Sequence, residues 1–372
     1  MHDFIPVNEP LLSGNEKKYL EECIDTGWIS SEGSFVKKFE TEFAKTVNRK
    51  YGIGVCNGSA ALEVAVAALE IGPGDEVVMP TFTIISCTSA IVRAGAIPVL
   101  IDVEKNTWNI NVEQIEAKIT KRTKAIMVVH IYGLPVNMNP ILQLAEKYNL
   151  FIIEDTAEVI GQTYYNKPCG SFGDISIFSF YPNKHVTTGE GGMVVTNSKE
   201  LSEKCKSLRN LCFQQQKRFL HEELGWNFRL SNIQAAVGLA QLEQLDKSII
   251  RKREIGMRYL NNLNDLSGVQ LSQLKTEYAE NIFWVFGIVL LDEKYPNAAS
   301  LMDILKIKNI GTRPFFWPMH EQPVFHKMGL FQNESHPNAE NIARNGFYIP
   351  SGLAITDDQI DFVSETLLEL FA

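Results

Sequence analysis

No pair of the six cysteines (Cys23, Cys56, Cys87, Cys169, Cys205, Cys212) forms a C-x-x-C motif, and no histidine spacing suits zinc. That excludes a zinc ribbon and a disulfide scaffold, and the thiols read as reduced ones of a cytoplasmic protein. No apolar run approaches the roughly 18 residues needed to cross a bilayer. Met1 to Pro10 lacks a basic start followed by an apolar core, so no signal peptide is expected. Positive charge is also short. The 35 Lys and Arg against 44 Asp and Glu leave a net charge of -9 and a pI near 5.4, which does not suggest a nucleic-acid surface. What is present is ordinary: 45% apolar and 21% charged residues over 372 positions describe a globular chain of about two domains.

Short, almost continuously apolar segments alternate with helical periods over the first two-thirds. Gly52 to Cys56, Glu76 to Met79, Ala96 to Ile101, Ala125 to Ile131, Phe151 to Ile153, Ile175 to Phe180 and Gly192 to Thr196 read as strands, with helices at Ala60 to Leu69 and Pro140 to Tyr148. Strands apolar on both faces and separated by helices predict a mainly parallel sheet covered on both sides. Ligands on such sheets bind beyond the strands' carboxyl ends. From about Asn232 the texture changes to a long helix or two joined ones, a strand at Phe283 to Leu291, a helix at Ala298 to Lys308 and a terminal helix at Asp357 to Phe371. The expected organisation is a large α/β domain over 1–245 and a smaller α+β domain over 246–372.

Three strand ends carry chemistry. Asn57-Gly58-Ser59-Ala60 joins a strand to a helix, where open backbone N–H groups and the helix dipole bind phosphate; an ordinary glycine turn with Asn or Ser capping the helix is the plainer alternative. Glu154-Asp155 ends a buried strand, as a helix cap or as a carboxylate that needs a buried partner. Lys184 follows the strand Ile175 to Phe180, between apolar sequence and a glycine-rich turn. A lysine buried there would lose basicity and become a usable nucleophile, whereas most lysines are solvated. Pyridoxal phosphate requires that set: a helix N-terminus for its phosphate, an acid for its ring nitrogen and a lysine for its aldehyde.

The same segments resemble the DegT/StrS family of fold-type I aminotransferases acting on nucleotide-linked keto sugars. The resemblance runs from Gly27-Trp-Ile-Ser-Ser31 to Pro350-Ser-Gly352 and rests on Asn57-Gly-Ser-Ala60, Gly72-Pro-Gly-Asp-Glu-Val77 with Pro80-Thr-Phe-Thr83, His130-Ile-Tyr-Gly133, Glu154-Asp-Thr-Ala-Glu158 and the Lys184 segment. It implies that Lys184 carries the cofactor as a Schiff base, that Asp155 pairs with the pyridine nitrogen and that Glu158 lies beside the phenolic oxygen. It further implies that Phe82 stacks on the ring and that the N–H groups of Ser59 and Ala60, with the Ser179 hydroxyl, hold the phosphate. Asn227 would reach the phosphate of a neighbouring subunit's cofactor, making the active unit a homodimer, and Arg313 and His320 would line the substrate pocket.

Thr187-Thr-Gly-Glu-Gly-Gly192, Asn227-Phe-Arg229 and Arg313-Pro-Phe-Phe-Trp-Pro318 with His320 most resemble the family members that aminate GDP-4-keto-6-deoxymannose with L-glutamate. Pro182, His185 and Ile84-Ile85-Ser86-Cys87 depart from the family's pattern. The alternatives are another keto sugar or a small keto phosphate as acceptor, a family dehydratase with His in place of the lysine, and a regulatory paralogue that binds the cofactor without turnover. Three features are discounted. Lys247 to Arg258 reads as a solvated helix face, Phe315-Phe316-Trp317 as packing, and nothing marks Cys56 or Cys87 as a nucleophile.

Overall fold

The computed structural model describes residues 3–214, 216–292 and 297–371. Two helices open the chain, α1 (Glu16–Thr26) and α2 (Ser34–Thr46). An α/β alternation follows: β1 (Tyr51–Val55), α3 (Gly58–Ala68), β2 (Glu76–Pro80), α4 (Ile85–Arg93), β3 (Ile97–Ile101), β4 (Thr123–Val129), α5 (Met138–Tyr148) and β5 (Phe151–Asp155). A small ribbon, β6 (Thr163–Tyr164) with β7 (Lys167–Pro168), precedes β8 (Ile175–Ser179), β9 (Gly192–Thr196) and α6 (Lys199–Arg209). The remainder comprises α7 (Asn232–Leu242), α8 (Leu245–Asn262), β10 (Val269–Leu271), β11 (Phe286–Leu290), α9 (Ala298–Ile307), β12 (Arg313–Pro314), α10 (Pro323–Lys327), α11 (Pro337–Asn345), β13 (Gly346–Ile349) and α12 (Asp357–Phe371).

Seven strands form the large sheet in the order β1-β9-β8-β5-β4-β2-β3. The pairs from β8 through β3 are parallel, and β9 runs antiparallel to both of its neighbours. The mostly parallel mixed sheet expected of the sequence is therefore present. Its two-sided burial follows from the period-2 alternation of strand side chains. Val77, Met79, Ala125, Met127 and Ile177 pack into one layer, while Val78, Ile126 and Val128 pack into another on the opposite face. Each of the Val, Ile and Met side chains contributes roughly 1.5–3 kcal/mol on burial, so the sheet is fixed by the apolar runs themselves.

The second sheet, β10-β11-β13-β12, is antiparallel and sits over its own apolar cluster with α8, α9 and α12. Of the two readings of the stretch between the two sheets' sequences, one long helix or two joined ones, the structure has the second. Ser231 and Gln234 form a reciprocal capping box that starts α7, and α8 restarts at Leu245. Among the described residues no helix is long and apolar enough to cross a membrane.

The basic run Lys247 to Arg258 corrects one expectation. Arg251 and Arg258 do reach outward, pairing with Asp357 and Asp361 of α12. Lys252 points the other way and is fully buried, its Nζ donating to the carbonyls of Trp284 (2.7 Å) and Ser351 (2.5 Å). Helical spacing alone does not reveal that a lysine on this stretch faces the second sheet.

Candidate active site

A cavity of about 500 Å³ opens at the carboxyl ends of β4, β5 and β8, walled by Val129, Asp155 and Ser179 from those strands. Asn57 precedes α3, with Gly58 and Ser59 on that helix's first turn; Thr83 and Ile84 come from the turn after β2 and Ser86 from the start of α4. Glu158, Tyr181, Asn183, Lys184 and Glu190 follow β5 and β8, and the cavity is closed by Tyr348 of β13 with Trp284, just before β11, and Phe316, just after β12.

At the phosphate turn Asn57 caps α3, its Oδ1 accepting the Ala60 N–H at 2.8 Å. This corrects the expected role of Ala60, whose N–H is already used. The first turn of a helix leaves its leading N–H groups without intrahelical acceptors, and here those of Gly58 and Ser59 are open among the described residues. Gly58 must be glycine, because a Cβ there would meet Ser179 Cβ at 2.8 Å. That close approach brings the Ser179 hydroxyl beside the helix N-terminus, and Ser59 Oγ sits 2.7 Å from Ser86 Oγ. Two open amides at the positive end of a helix, flanked by hydroxyls, fit a phosphate group.

Asp155 ends β5 with its carboxylate in the cavity wall. Oδ1 accepts the Ala157 N–H at 3.0 Å and Oδ2 accepts the Cys87 thiol at 3.3 Å. Burial pushes its pKa up, opposed by those two donors and by Lys184. Its neighbour Glu154 faces away and is structural: it accepts from Gly170, Phe172 and Gly173 N–H, Ser176 Oγ and His130 Nε2. The His130 tautomer follows, since Nδ1 accepts from Val136 N–H at 3.0 Å and Nε2 must carry the proton.

The turn after β4 explains the His130-Ile-Tyr-Gly133 motif. Gly133 has φ +98, and a Cβ there would lie 2.6 Å from Asn281 Oδ1 and 2.7 Å from Trp284 N. The turn also holds Tyr132 at φ +54, and the Tyr132 N–H donates to Glu158 Oε2 at 2.9 Å. Glu158 is thereby fixed with one oxygen committed to the backbone.

Lys184 is half-buried, its accessible part facing the cavity, with Nζ 3.8 Å from the centroid of the Trp284 ring. Burial pushes its pKa down and that of Glu158 up, while each charge favours the other. Trp284 is itself anchored, its Nε1–H donating to Asn183 O at 2.8 Å. A desolvated amine with two carboxylates nearby can form a Schiff base and exchange a proton at one point in space.

The structure brings Lys184, Asp155, Glu158, Ser59 and Ser179 to one cavity and separates four other expected residues from it. Phe82 is fully buried, edge-on to Tyr132 and Phe316 with ring centroids 6.0 and 5.9 Å apart, so Ile84 from the same turn meets the cavity instead. His320 is buried beyond that layer, bonded to Thr81 Oγ1 at 2.8 Å and Glu340 at 3.1 Å. Arg313 lies exposed on the edge strand β12 and outside the cavity wall. Asn227 is exposed, in a bridge with Asn210, and does not line the cavity of its own chain. Sequence reading missed Ile84, Trp284, Phe316 and Tyr348. Of these, Ile84 stands out in the sequence only as part of a departure from the family's pattern, and Phe316 only as packing.

An α/β sheet whose strand ends gather a phosphate turn, a buried acid and a desolvated lysine defines a pyridoxal phosphate-dependent enzyme. The model of the DegT/DnrJ/EryC1/StrS aminotransferase family matches residues 10–368. The chain belongs to this family, and it is an aminotransferase that uses pyridoxal phosphate. It is 42% identical over 370 residues to the GDP-perosamine synthase of Escherichia coli, covering 99% of both chains. To the Vibrio cholerae GDP-perosamine synthase it is 40% identical over 368 residues, again covering 99% of each. The solved structure of DesV of S. venezuelae superposes with a TM-score of 0.88 at 31% identity, covering 95% of this chain and 94% of that one.

Proposed function

We propose that this aminotransferase moves an amino group from L-glutamate to a nucleotide-linked 4-keto-6-deoxy sugar. The proposed acceptor is GDP-4-keto-6-deoxy-D-mannose and the product GDP-perosamine, for bacterial surface polysaccharide such as O-antigen. The observation that carries this reading is full-length similarity at about 40% to two proteins named for that product. The proposed setting is the cytoplasm, and the proposed division is a cofactor-binding domain over 1–245 and a smaller domain over 246–372.

Bound pyridoxal phosphate supplies a carbonyl that carries the amino group and a ring that accepts the electrons of a broken C–H bond. The chain's residues do the rest. Gly58 and Ser59 N–H groups with the Ser179 hydroxyl hold the phosphate. Asp155 holds a proton at the ring nitrogen, and Glu158 adjusts the phenolic oxygen. Lys184 would hold the cofactor's carbonyl carbon when it is bound, and its amine is the group placed to take a proton from the amino donor and return one to the sugar carbon. Trp284, Phe316 and Tyr348 wall this end of the cavity against water, which strengthens the attraction between the Asp155 and Lys184 charges.

The dehydratase alternative loses its support at His185. That ring is buried, Nδ1–H donates to Ile160 O at 2.9 Å, and burial pushes its pKa down to about 3. It is not part of the cavity wall, whereas Lys184 is.

The acceptor is tested by giving the enzyme in its amino-cofactor form a panel of GDP-, UDP- and dTDP-linked 4-keto sugars. Rapid return of the resting absorption with the GDP sugar supports the reading. Turnover on another nucleotide sugar alone retains the chemistry and overturns the product. The shared homodimer site is tested by mixing Asn227→Ala with Lys184→Ala chains. If Asn227 of the partner subunit completes each site, a hybrid has one intact site and recovers up to about half the activity. No recovery after verified exchange overturns the shared site.

A further inference from the structure

Cys87 is fully buried on the first turns of α4 and stands 68 positions from Asp155 in the chain, yet its thiol meets that carboxylate. Sγ lies 3.3 Å from Asp155 Oδ2 on one side and 3.3 Å from Thr83 Oγ1 on the other. The directions follow from the inventory of donors. An ionised Asp155 only accepts, so the thiol proton points at Oδ2, and the Thr83 hydroxyl donates to sulfur. The Ala157 N–H takes Oδ1 at 3.0 Å. Asp155 is thus clamped by one donor on each oxygen, from the loop after its own strand and from α4. The titratable groups around this pair are Lys184, Glu158 and His130. Burial and the Asp155 charge raise the Cys87 pKa well above its ordinary value, so it remains a thiol throughout the working pH range.

We propose that Cys87 is a positioning residue for catalysis: its thiol, aligned by Thr83, orients the Asp155 carboxylate and holds it ionised toward the cofactor's ring nitrogen. The inference rests on Asp155 acting at that nitrogen. A donor at Oδ2 lowers the basicity of the carboxylate, which keeps the shared proton on the ring side of the contact. Without it the carboxylate rotates more freely and draws the proton toward itself. The ring then carries less positive charge and stabilises the broken C–H bond less well. A thiol is a weak donor, so the effect is smaller than that of removing Asp155 itself. The alternative is a thiol that only fills space beneath α4.

The test compares three substitutions in the holoenzyme. Cys87→Ser keeps a donor, Cys87→Ala removes it, and Cys87→Val removes it while filling the volume. Each is followed by kcat, by the pH midpoint of the bound cofactor's absorption change and by thermal midpoint. Cys87→Ala and Cys87→Val are expected to lower kcat about three- to thirtyfold and to move the absorption midpoint upward together, because a less charged ring leaves the imine nitrogen more basic. Cys87→Ser should stay within about twofold with an unmoved midpoint. In an Asp155→Asn background the loss from Cys87→Ala should vanish, since the two act through one contact. Equal behaviour of Ser, Ala and Val, or a kcat loss that follows thermal midpoint with a fixed absorption midpoint, overturns the proposal. If Asp155→Asn itself leaves rate and absorption unchanged, the role of Asp155 fails, a result distinct from an effect of Asp155→Asn with silent Cys87 variants.

Discussion

Lys184 and Lys252 occupy two regions of the molecule and share one electrostatic tendency. Each is surrounded by protein, and desolvation lowers the pKa of both, that of Lys252 to about 7. Their surroundings differ. Lys252 is sealed between α8 and the second sheet, with its Nζ bonded to the carbonyls of Trp284 and Ser351. Lys184 keeps accessible surface on a cavity of about 500 Å³, with Asp155 and Glu158 acting on it and Trp284 beneath its ammonium. A depressed lysine pKa therefore marks a reactive amine only where a cavity lets a substrate reach it and other groups converge there. Trp284 joins the two regions, since its carbonyl accepts from Lys252 and its ring lies under Lys184.

The sharpest way to break this contrast is to remove each amine in turn. Lys184→Ala is expected to reduce turnover by about 10³-fold or more, because covalent attachment and proton transfer are both lost. Cofactor should still bind through the phosphate and ring contacts. Borohydride followed by mass analysis should then fix no cofactor to the variant, although it does to the parent. Substantial turnover in this variant would remove Lys184 from the chemistry.

Asp155→Asn tests whether the carboxylate, and not merely a polar group, completes the cavity's side of the comparison. An opposite charge in contact shifts a pKa by about 1–3 units, so a rate loss of roughly tenfold to a thousandfold is expected with cofactor still attached to Lys184. Steady-state rates with absorption of the bound cofactor check it. An unchanged rate would mean that the ring nitrogen is not served by this residue.

Lys252→Met should have the smallest effect on turnover, within about threefold, and act on stability. Two buried carbonyls lose their donor, at about 1–3 kcal/mol. The pH dependence distinguishes this from plain packing. Between about pH 7 and pH 10 the unfolded chain holds a proton on Lys252 that the folded chain lacks, so the parent gains stability as pH rises through that window. The slope is at most about 1.4 kcal/mol per pH unit, and it should flatten in the variant. Denaturation midpoints at pH 7, 8 and 9 for both proteins measure it.

Much of the sheet was legible because strands buried on both faces are written as apolar runs, and because strand ends mark ligand sites in α/β folds. Gly192–Thr196 and Asp357–Phe371 have the ends expected of them, the other expected strands and helices shift by a few residues, and elements such as α1, α2 and α4 were not expected at all. The places of Asn57, Asp155 and Lys184 at the cavity were readable for the same reason, since each ends or follows a strand, whereas Glu158 and Ser179 came from the family resemblance. Phe82 was misread as the stacking face because successive residues after β2 diverge. Phe82 enters the aromatic layer while Ile84 reaches the cavity. Ala60 was misread because a capping side chain took its N–H.

The sequence by itself determined the parallel sheet, the phosphate turn, and the strand-end acid and lysine, since apolar periodicity and short-range geometry decide these. Only the tertiary structure decided the contacts between distant segments. It set the Cys87 thiol against Asp155, laid Trp284 under Lys184, closed the cavity with Phe316 and Tyr348, and turned Lys252 inward while Arg251 and Arg258 faced α12. The physical reason is that burial, hydrogen-bond partner and basicity belong to the space around a side chain. That space is filled by segments far apart in the chain, whose approach is fixed by the packing of two sheets.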